Sequence, residues 1–269
     1  MCKEKSSKFE VFSNGFVKIT KENAKNAKNA ISKDPFYNRA YDKKIEGSSA
    51  LFFDEYKNND TKDKMSEILS ALNTENSTRV SGDDLKDICN NICTGIGAEL
   101  RNSHDKKCEI NEYGIIESIY NGVKSGKTLL SYASKFCHFY SLHMVGDTAA
   151  DNYPIIDSIL RKVIPIYDYI YTSEFATYNE YQGGNLLYKC RVAQYSEIKE
   201  KYKEGIVGYY LDYVLALRRI RDAVNRNVEK EKQKITVTEI EQLLWWFYRG
   251  IADDVDGIKK EAREDIEKF

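Results

Sequence analysis

Proline, histidine and long apolar runs are all scarce in this chain: 269 residues hold three Pro and three His, and no apolar stretch is long. The missing apolar run argues against a membrane partner. With no signal peptide either, the expectation is a cytoplasmic protein with reduced thiols. Few prolines beside 20 Tyr and 11 Phe fit long helices packed through aromatic rings, so the expected fold is mainly α. The formal net charge is −1. That balance excludes any overall pull toward nucleic acid, and a nucleic-acid partner would need a local basic face. Six cysteines are present, but only Cys89 and Cys93 stand close together, and Cys2, Cys108, Cys137 and Cys190 are scattered. Zinc spacing is absent, and His138 and His143 have no partner at ligand spacing, so neither metal nor other cofactor is expected. A hydrophobic content of 42% allows a substantial core, in one domain or two closely packed lobes.

Polar residues 1–8 read as a frayed end. Residues 9–19 alternate around Asn14-Gly15, a hairpin signal. A helix rich in Ala, Asn and Lys follows, ending near Lys33, with Lys-Asn-Ala written twice from Lys25 to Ala30. Its lysines can meet phosphate or simply face solvent. Residues 48–57 and 61–73 read as helices joined by Asn58-Asn59-Asp60, and the polar stretch 74–81 reads as a lobe boundary. Ser81-Gly82-Asp83-Asp84 caps a further helix through Ile92. The glycines of Thr94-Gly95-Ile96-Gly97-Ala98 read as a helix break or a point of close packing, since no strand clearly precedes them as a nucleotide loop would need. Residues 109–120 read as a helix and 205–225 as a long one, whose end carries the best basic cluster, Arg218, Arg219, Arg221 and Arg226. Pairing with Asp212 and Asp222 is the alternative use of those charges. Residues 237–249 form a tryptophan helix with Gly250 as its stop, and 253–269 a charged terminal helix. The organisation expected is an N-terminal hairpin and helical lobe over 1–80, a helical core over 81–250 and a terminal helix over 251–269.

At the centre lies the run from Gly126 to Ser158. Gly126-Lys127-Thr128 is not a phosphate loop of Walker type, because Asn121 fills the position of the motif's first glycine. The turn still sets Lys124 and Lys127 at a helix start, a candidate phosphate contact. In the helix that follows, Leu129, Ala133, Phe136, Cys137 and Tyr140 share one face, which should pack inward. Lys135 lies on the opposite side among Ser131, Tyr132, His138 and Phe139. That mixed stripe suits a cleft wall, or else a solvated lysine whose stem lies along aromatic rings. Further on, Asp151-Asn152-Tyr153-Pro154-Ile155-Ile156-Asp157-Ser158 allows two helix starts. Pro154 opens the helix with Asp157 in its first turn, or residues 153–156 are extended and Asp157 is the cap. In both cases the carboxylate sits beside free amides at the positive end of a helix and should stay ionised.

Lys135 followed by Pro154-Ile155-Ile156-Asp157 resembles the catalytic lysine and aspartate of the helix-hairpin-helix DNA glycosylase superfamily. The run from Lys127 to Phe136 is most similar to the archaeal 8-oxoguanine branch and its bacterial relatives. Leu243-Leu244-Trp245-Trp246-Phe247-Tyr248-Arg249-Gly250 resembles the Leu-Trp…Gly helix that closes such proteins. The likeness spans roughly residues 110–250. It departs at the Leu-Pro-Gly-Val-Gly hairpin, which is missing; residues 121–126 are the substitute on offer.

The resemblance implies a two-lobed helical glycosylase-like fold with a small N-terminal β-hairpin, and DNA with a damaged or modified base as partner. No iron–sulfur cluster, as some members carry, is supported by these cysteines. Lys135 would attack C1′ of the sugar as nucleophile, with or without AP-lyase activity, once burial or a nearby cation lowers its pKa. Asp157 would stabilise the cation-like sugar. Tyr132, His138, Phe139, Trp245 and Trp246 would wall a pocket for the extruded base, and Lys124, Lys127, Arg218 and Arg221 would meet the DNA backbone. The rival expectation is a non-catalytic helical module that binds nucleic acid or protein, including one active in phage–host conflict.

Overall fold

The structure, a computed structural model, describes residues 8–12, 15–76, 78–96, 116, 119, 129–172 and 205–249. The tail 253–269, the turn over 121–126 and most of residues 109–120 lie outside the described residues. The described chain is mainly helical: α1 Lys21–Lys33, α2 Ser49–Tyr56, α3 Lys62–Glu75, α4 Gly82–Asn91, α5 Leu130–Met144, α6 Asp147–Ala150, α7 Leu160–Thr172, α8 Gly205–Asn225 and α9 Val237–Tyr248. No helix among them is long and apolar enough to cross a membrane. The chain divides into two compact units, one of residues 1–30, 157–205 and 212–269, the other of 31–156 and 206–211.

In the unit built on residues 31–156, the helix starts follow local chemistry. Ser48, Thr61 and Ser81 stand in extended backbone and their hydroxyls accept from the N–H of Leu51, Lys64 and Asp84. The stretch after α3 is a clasped turn: Asn73 Oδ1 accepts from the Val80 N–H at 2.9 Å and from the Thr78 hydroxyl at 2.6 Å, while Asn73 Nδ2 donates to the Val80 carbonyl. α4 closes in a π-helical turn, Ile92–Ile96, where the glycines predict a break. Glu75, buried at the end of α3, accepts from both the N–H and the hydroxyl of Ser49 at the start of α2, and Arg39 Nε lies 3.4 Å away. A carboxylate thereby serves the free amides of a helix N-terminus. Desolvation pushes the Glu75 pKa up, against the opposing pull of Ser49 and Arg39. α5 packs against α2, α3 and α6. Gly146, with φ +135° and ψ 175°, turns the chain from α5 into α6, a conformation open to glycine.

In the other unit, one isolated antiparallel bridge joins Val11 to Val17, with Phe12 N–H donating to the Phe16 carbonyl and Lys18 N–H to that of Glu10. No strand forms among the described residues, and Asn14 lies outside them. Asn23 of α1 holds this turn, accepting from Glu10 N–H at 2.9 Å and donating to the carbonyls of Glu10 and Lys18 at 2.8 Å. The Tyr167 hydroxyl donates to the Val17 carbonyl at 2.7 Å and lies 2.8 Å from the Tyr248 hydroxyl. Thr236 and Glu239 form a reciprocal capping box at the start of α9. Asp168 of α7 is fully buried, and Arg219 of α8 grips it as a fork, Nε to Oδ1 at 3.2 Å and Nη2 to Oδ2 at 2.8 Å.

Removing one partner of such a pair strands a buried charge. Arg219→Ala should cost about 3 kcal/mol of unfolding free energy, because Asp168 then loses its fork. Arg221→Ala, which among the described residues breaks an exposed contact with Asp222, should cost about 0.5 kcal/mol or less. Urea unfolding of both variants checks the ranking.

Candidate functional site

The amphipathic reading of α5 underestimates its burial. Beyond the expected core face, Tyr132, His138 and Phe139 are 2%, 1% and 2% exposed. The Tyr132 hydroxyl donates to the Leu69 carbonyl at 2.9 Å. Phe139 meets Tyr41 edge-on at 5.2 Å between centroids. His143, one turn on, stacks on Phe53 at 5.1 Å and reaches the Ala40 carbonyl at 2.8 Å. Tyr132 and His138 read as part of a second face because each has polar atoms, yet the Tyr132 hydroxyl and His138 Nδ1 find backbone partners inside, and Phe139 packs on rings alone. The three ring residues expected to wall a pocket from α5 thus stand in the interior of their unit. Lys135 is half-buried on the same helix, its Nζ 3.5 Å from the carbonyl of Asn76, the residue that ends α3, a long contact.

A second role for groups on α5, the fastening of residues 153–156, escaped the sequence reading. Ser134, fully buried, accepts from the Ile156 N–H at 3.1 Å while donating to the Ser131 carbonyl. One turn later His138 Nδ1 lies 3.1 Å from the Tyr153 carbonyl; a carbonyl only accepts, so Nδ1 carries the proton. The Tyr210 hydroxyl donates to the Pro154 carbonyl at 2.7 Å. Residues 153, 154 and 156 are thereby fastened to buried side chains, two of them on α5. Ser134 and His138 stand four apart, a spacing that puts them on one helix face. Two polar residues at that spacing inside an apolar run were the available signal.

Of the two helix starts open at Asp157, the extended one is observed. Residues 154–157 carry no helix, and α7 begins at Leu160. Asp157 Oδ1 accepts from the N–H of Ile159 at 2.9 Å and of Leu160 at 2.8 Å, and its own carbonyl accepts from Arg161. This is the bonding of an N-cap. In the same unit, Trp245 and Trp246 of α9 are half-exposed, and the Arg249 guanidinium lies 4.1 Å from the Trp246 ring centroid and 5.4 Å from that of Trp245. Arg218 is half-exposed on α8, while Arg221 pairs with Asp222 at 2.7 Å. Lys124 and Lys127 lie outside the described residues. A surface cavity of about 400 Å³ opens elsewhere in the α5 unit, lined by Arg39, Phe52, Ser66, Ser70, Thr74 and Glu75 among others, and no sequence-predicted site residue lines it. Among the described residues, no three His, Cys, Asp or Glu side chains cluster as metal ligands would.

Set beside known protein families, curated proteins and solved structures, the chain finds no match in any of the three.

Burial drives the His138 pKa down to about 4 from 6.5, against the opposing pull of the Tyr153 carbonyl. Between those values the unfolded chain takes up a proton that the folded chain refuses. Stability present above pH 6.5 therefore falls as pH drops toward 4, by on the order of 3 kcal/mol. Unfolding free energies measured in urea across pH 7 to 4 should show this loss in the wild type and a flatter profile in His138→Gln. Parallel profiles would rule out His138 as the source.

Proposed function

We propose that this protein is a DNA glycosylase that excises a damaged or modified base, with Lys135 as nucleophile and Asp157 as its electrostatic partner. The observation that carries the reading is the Ser134 Oγ to Ile156 N–H bond at 3.1 Å. It fastens the segment leading into Asp157 onto the helix that bears Lys135, one residue before each. The helical content suits the mainly α character of this reading, and the two-lobed glycosylase-like fold with an N-terminal hairpin is part of the proposal. The half-buried setting of Lys135 supports the nucleophile role, because a lysine amine needs partial desolvation to be neutral. Two amide donors and the positive end of α7 favour negative charge on Asp157. A carboxylate so held suits a sugar that turns cation-like as its base leaves.

In the proposed reaction the neutral amine of Lys135 bonds to C1′ and the base departs with the electrons of the glycosidic bond. The amine then gives up a proton, and opening of the sugar ring leaves a Schiff base. Trp245 and Trp246, half-exposed with Arg249 stacked on them, suit the wall of a pocket for the extruded base. Tyr132, His138 and Phe139 would hold α5 rigid behind the amine. Lys124, Lys127, Arg218 and Arg221 would meet DNA phosphates. A cytoplasmic location follows from such a role.

The cap that Asp157 makes is also the observation favouring a second reading, a non-catalytic helical module in which that carboxylate only starts α7. One substitution separates them, because Asn caps a helix about as well as Asp. Asp157→Asn should keep the fold and lose excision by about 100-fold. Duplexes carrying oxidised, alkylated, deaminated or hypermodified bases are incubated with protein and borohydride, and base release and covalent adduct are both measured. Wild type should release a base and be trapped on at least one substrate, and Lys135→Gln on none. Full excision by Lys135→Gln would remove Lys135 as the nucleophile, and no release from any substrate would leave the binding-module reading standing.

A further inference from the structure

A chain of net charge −1 needs a local basic face to hold DNA, and the arginine cluster at the end of α8 supplies little of it. Arg219 is turned inward to buried Asp168 and Arg221 is paired with Asp222. The twice-written Lys-Asn-Ala segment in α1 has a different fate. Asn23, Ala24, Ala27 and Ile31 are buried, which fixes the helix's inner face. Lys21, Lys25, Lys28 and Ser32 then follow one another at helical spacing on its outer side.

Of these lysines only Lys21 is spent. Its Nζ lies 2.6 Å and 2.7 Å from the two carboxylate oxygens of Glu239 and donates to the Lys234 carbonyl. Lys25 and Lys28 are exposed and have no acidic partner among the described residues. Among the described residues, Glu10 is paired with Lys18 and Glu239 with Lys21. Glu22 is the one acid in the helix sequence and lies beside the stripe. Exposed Lys8 is attached to the same helix through its carbonyl, which accepts from Asn26 Nδ2 at 3.0 Å.

We propose that the Lys25–Lys28 face of α1 is a contact surface for the phosphates of duplex DNA. The choice of DNA as the polyanion rests on the function proposed above. The eight residues from Lys21 to Lys28 rise about 10 Å along the helix axis, of which Lys25 to Lys28 take about 4.5 Å. Phosphates of one DNA strand advance about 3.4 Å each along the duplex, so Lys25 and Lys28 match neighbouring phosphates. Lysine ammoniums on flexible stems suit this task, because they neutralise charge without fixing sequence. The surface therefore binds DNA of any sequence and adds affinity and encounter rate without choosing the base.

The test is the salt dependence of binding to an undamaged duplex, read by fluorescence anisotropy between roughly 50 and 200 mM salt. The double variant Lys25→Gln/Lys28→Gln should bind about tenfold more weakly at the low-salt end, and its log–log slope should fall by about 2. Lys44→Gln, an equally exposed lysine in the other unit, should leave the slope unchanged. A double variant with wild-type affinity and slope overturns the surface, as does a wild type that does not bind duplex at all. The catalytic reading is scored separately, by base release at saturating DNA. Release retained with an unchanged slope removes the surface alone, and a lowered slope without release supports the surface while removing the glycosylase.

Discussion

The hydrogen bonds that fasten residues 153–156 to buried side chains are the constraint on which the rest of the candidate site depends. Tyr153, Pro154 and Ile156 are buried and not helical, so their backbone groups have no ladder to pair with. Left unpaired, each such group would cost about 1–3 kcal/mol. The Tyr153 carbonyl goes to His138, the Pro154 carbonyl to Tyr210 and the Ile156 N–H to Ser134. Pro154 adds a fixed φ and has no N–H of its own to satisfy. A segment so accounted for has one conformation, and it delivers Asp157 to the start of α7 already placed to cap. The neutrality of His138 belongs to the same arrangement, since a buried imidazolium beside this turn would need a counter-charge.

Elsewhere the fold repeats the device with other side chains. Asn73 closes the turn after α3, Asn23 closes the bridge before α1, and Asn225 closes the end of α8 by exchanging two bonds with Ile235. In each case an amide presents donor and acceptor together to backbone that is neither helix nor sheet. Charged residues serve the same end at Glu75 and Asp168. Charge spent internally is unavailable to a polyanionic partner. The near-zero net charge therefore says less about partners than the short register of cations with no internal use.

Helix limits were largely legible in the sequence because they are set by local chemistry. Ser48, Thr61, Ser81 and Thr236 cap as their side chains dictate, and Asn58-Asn59-Asp60 separates α2 from α3 as read. The long helix over 205–225 and the tryptophan helix ending before Gly250 were equally readable. Less legible was the burial of α5 on nearly all sides. Tyr132, His138 and Ser134 carry polar atoms, and periodicity counts such atoms as outward-facing. Tertiary partners reverse that: the Leu69 carbonyl, the Tyr153 carbonyl and the Ile156 N–H come from segments far along the chain. The same holds for Arg219, which the sequence groups with basic neighbours and the fold assigns to Asp168. The choice between two starts at Asp157 was open for the same reason, because Pro154 suits either and only the contacts to α5 and Tyr210 decide.

Lys135 is the residue whose position these considerations bear on most. The residues three and four positions from it that are aromatic, Tyr132, His138 and Phe139, are all buried. A lysine rooted among such neighbours has a stem that loses water whether or not its amine does. Full burial of the ammonium would be costly without close partners, and full exposure would make the residue an ordinary surface lysine. Half-burial with a long 3.5 Å contact to the Asn76 carbonyl lies between these limits. The nucleophile role proposed for Lys135 would draw on that intermediate position.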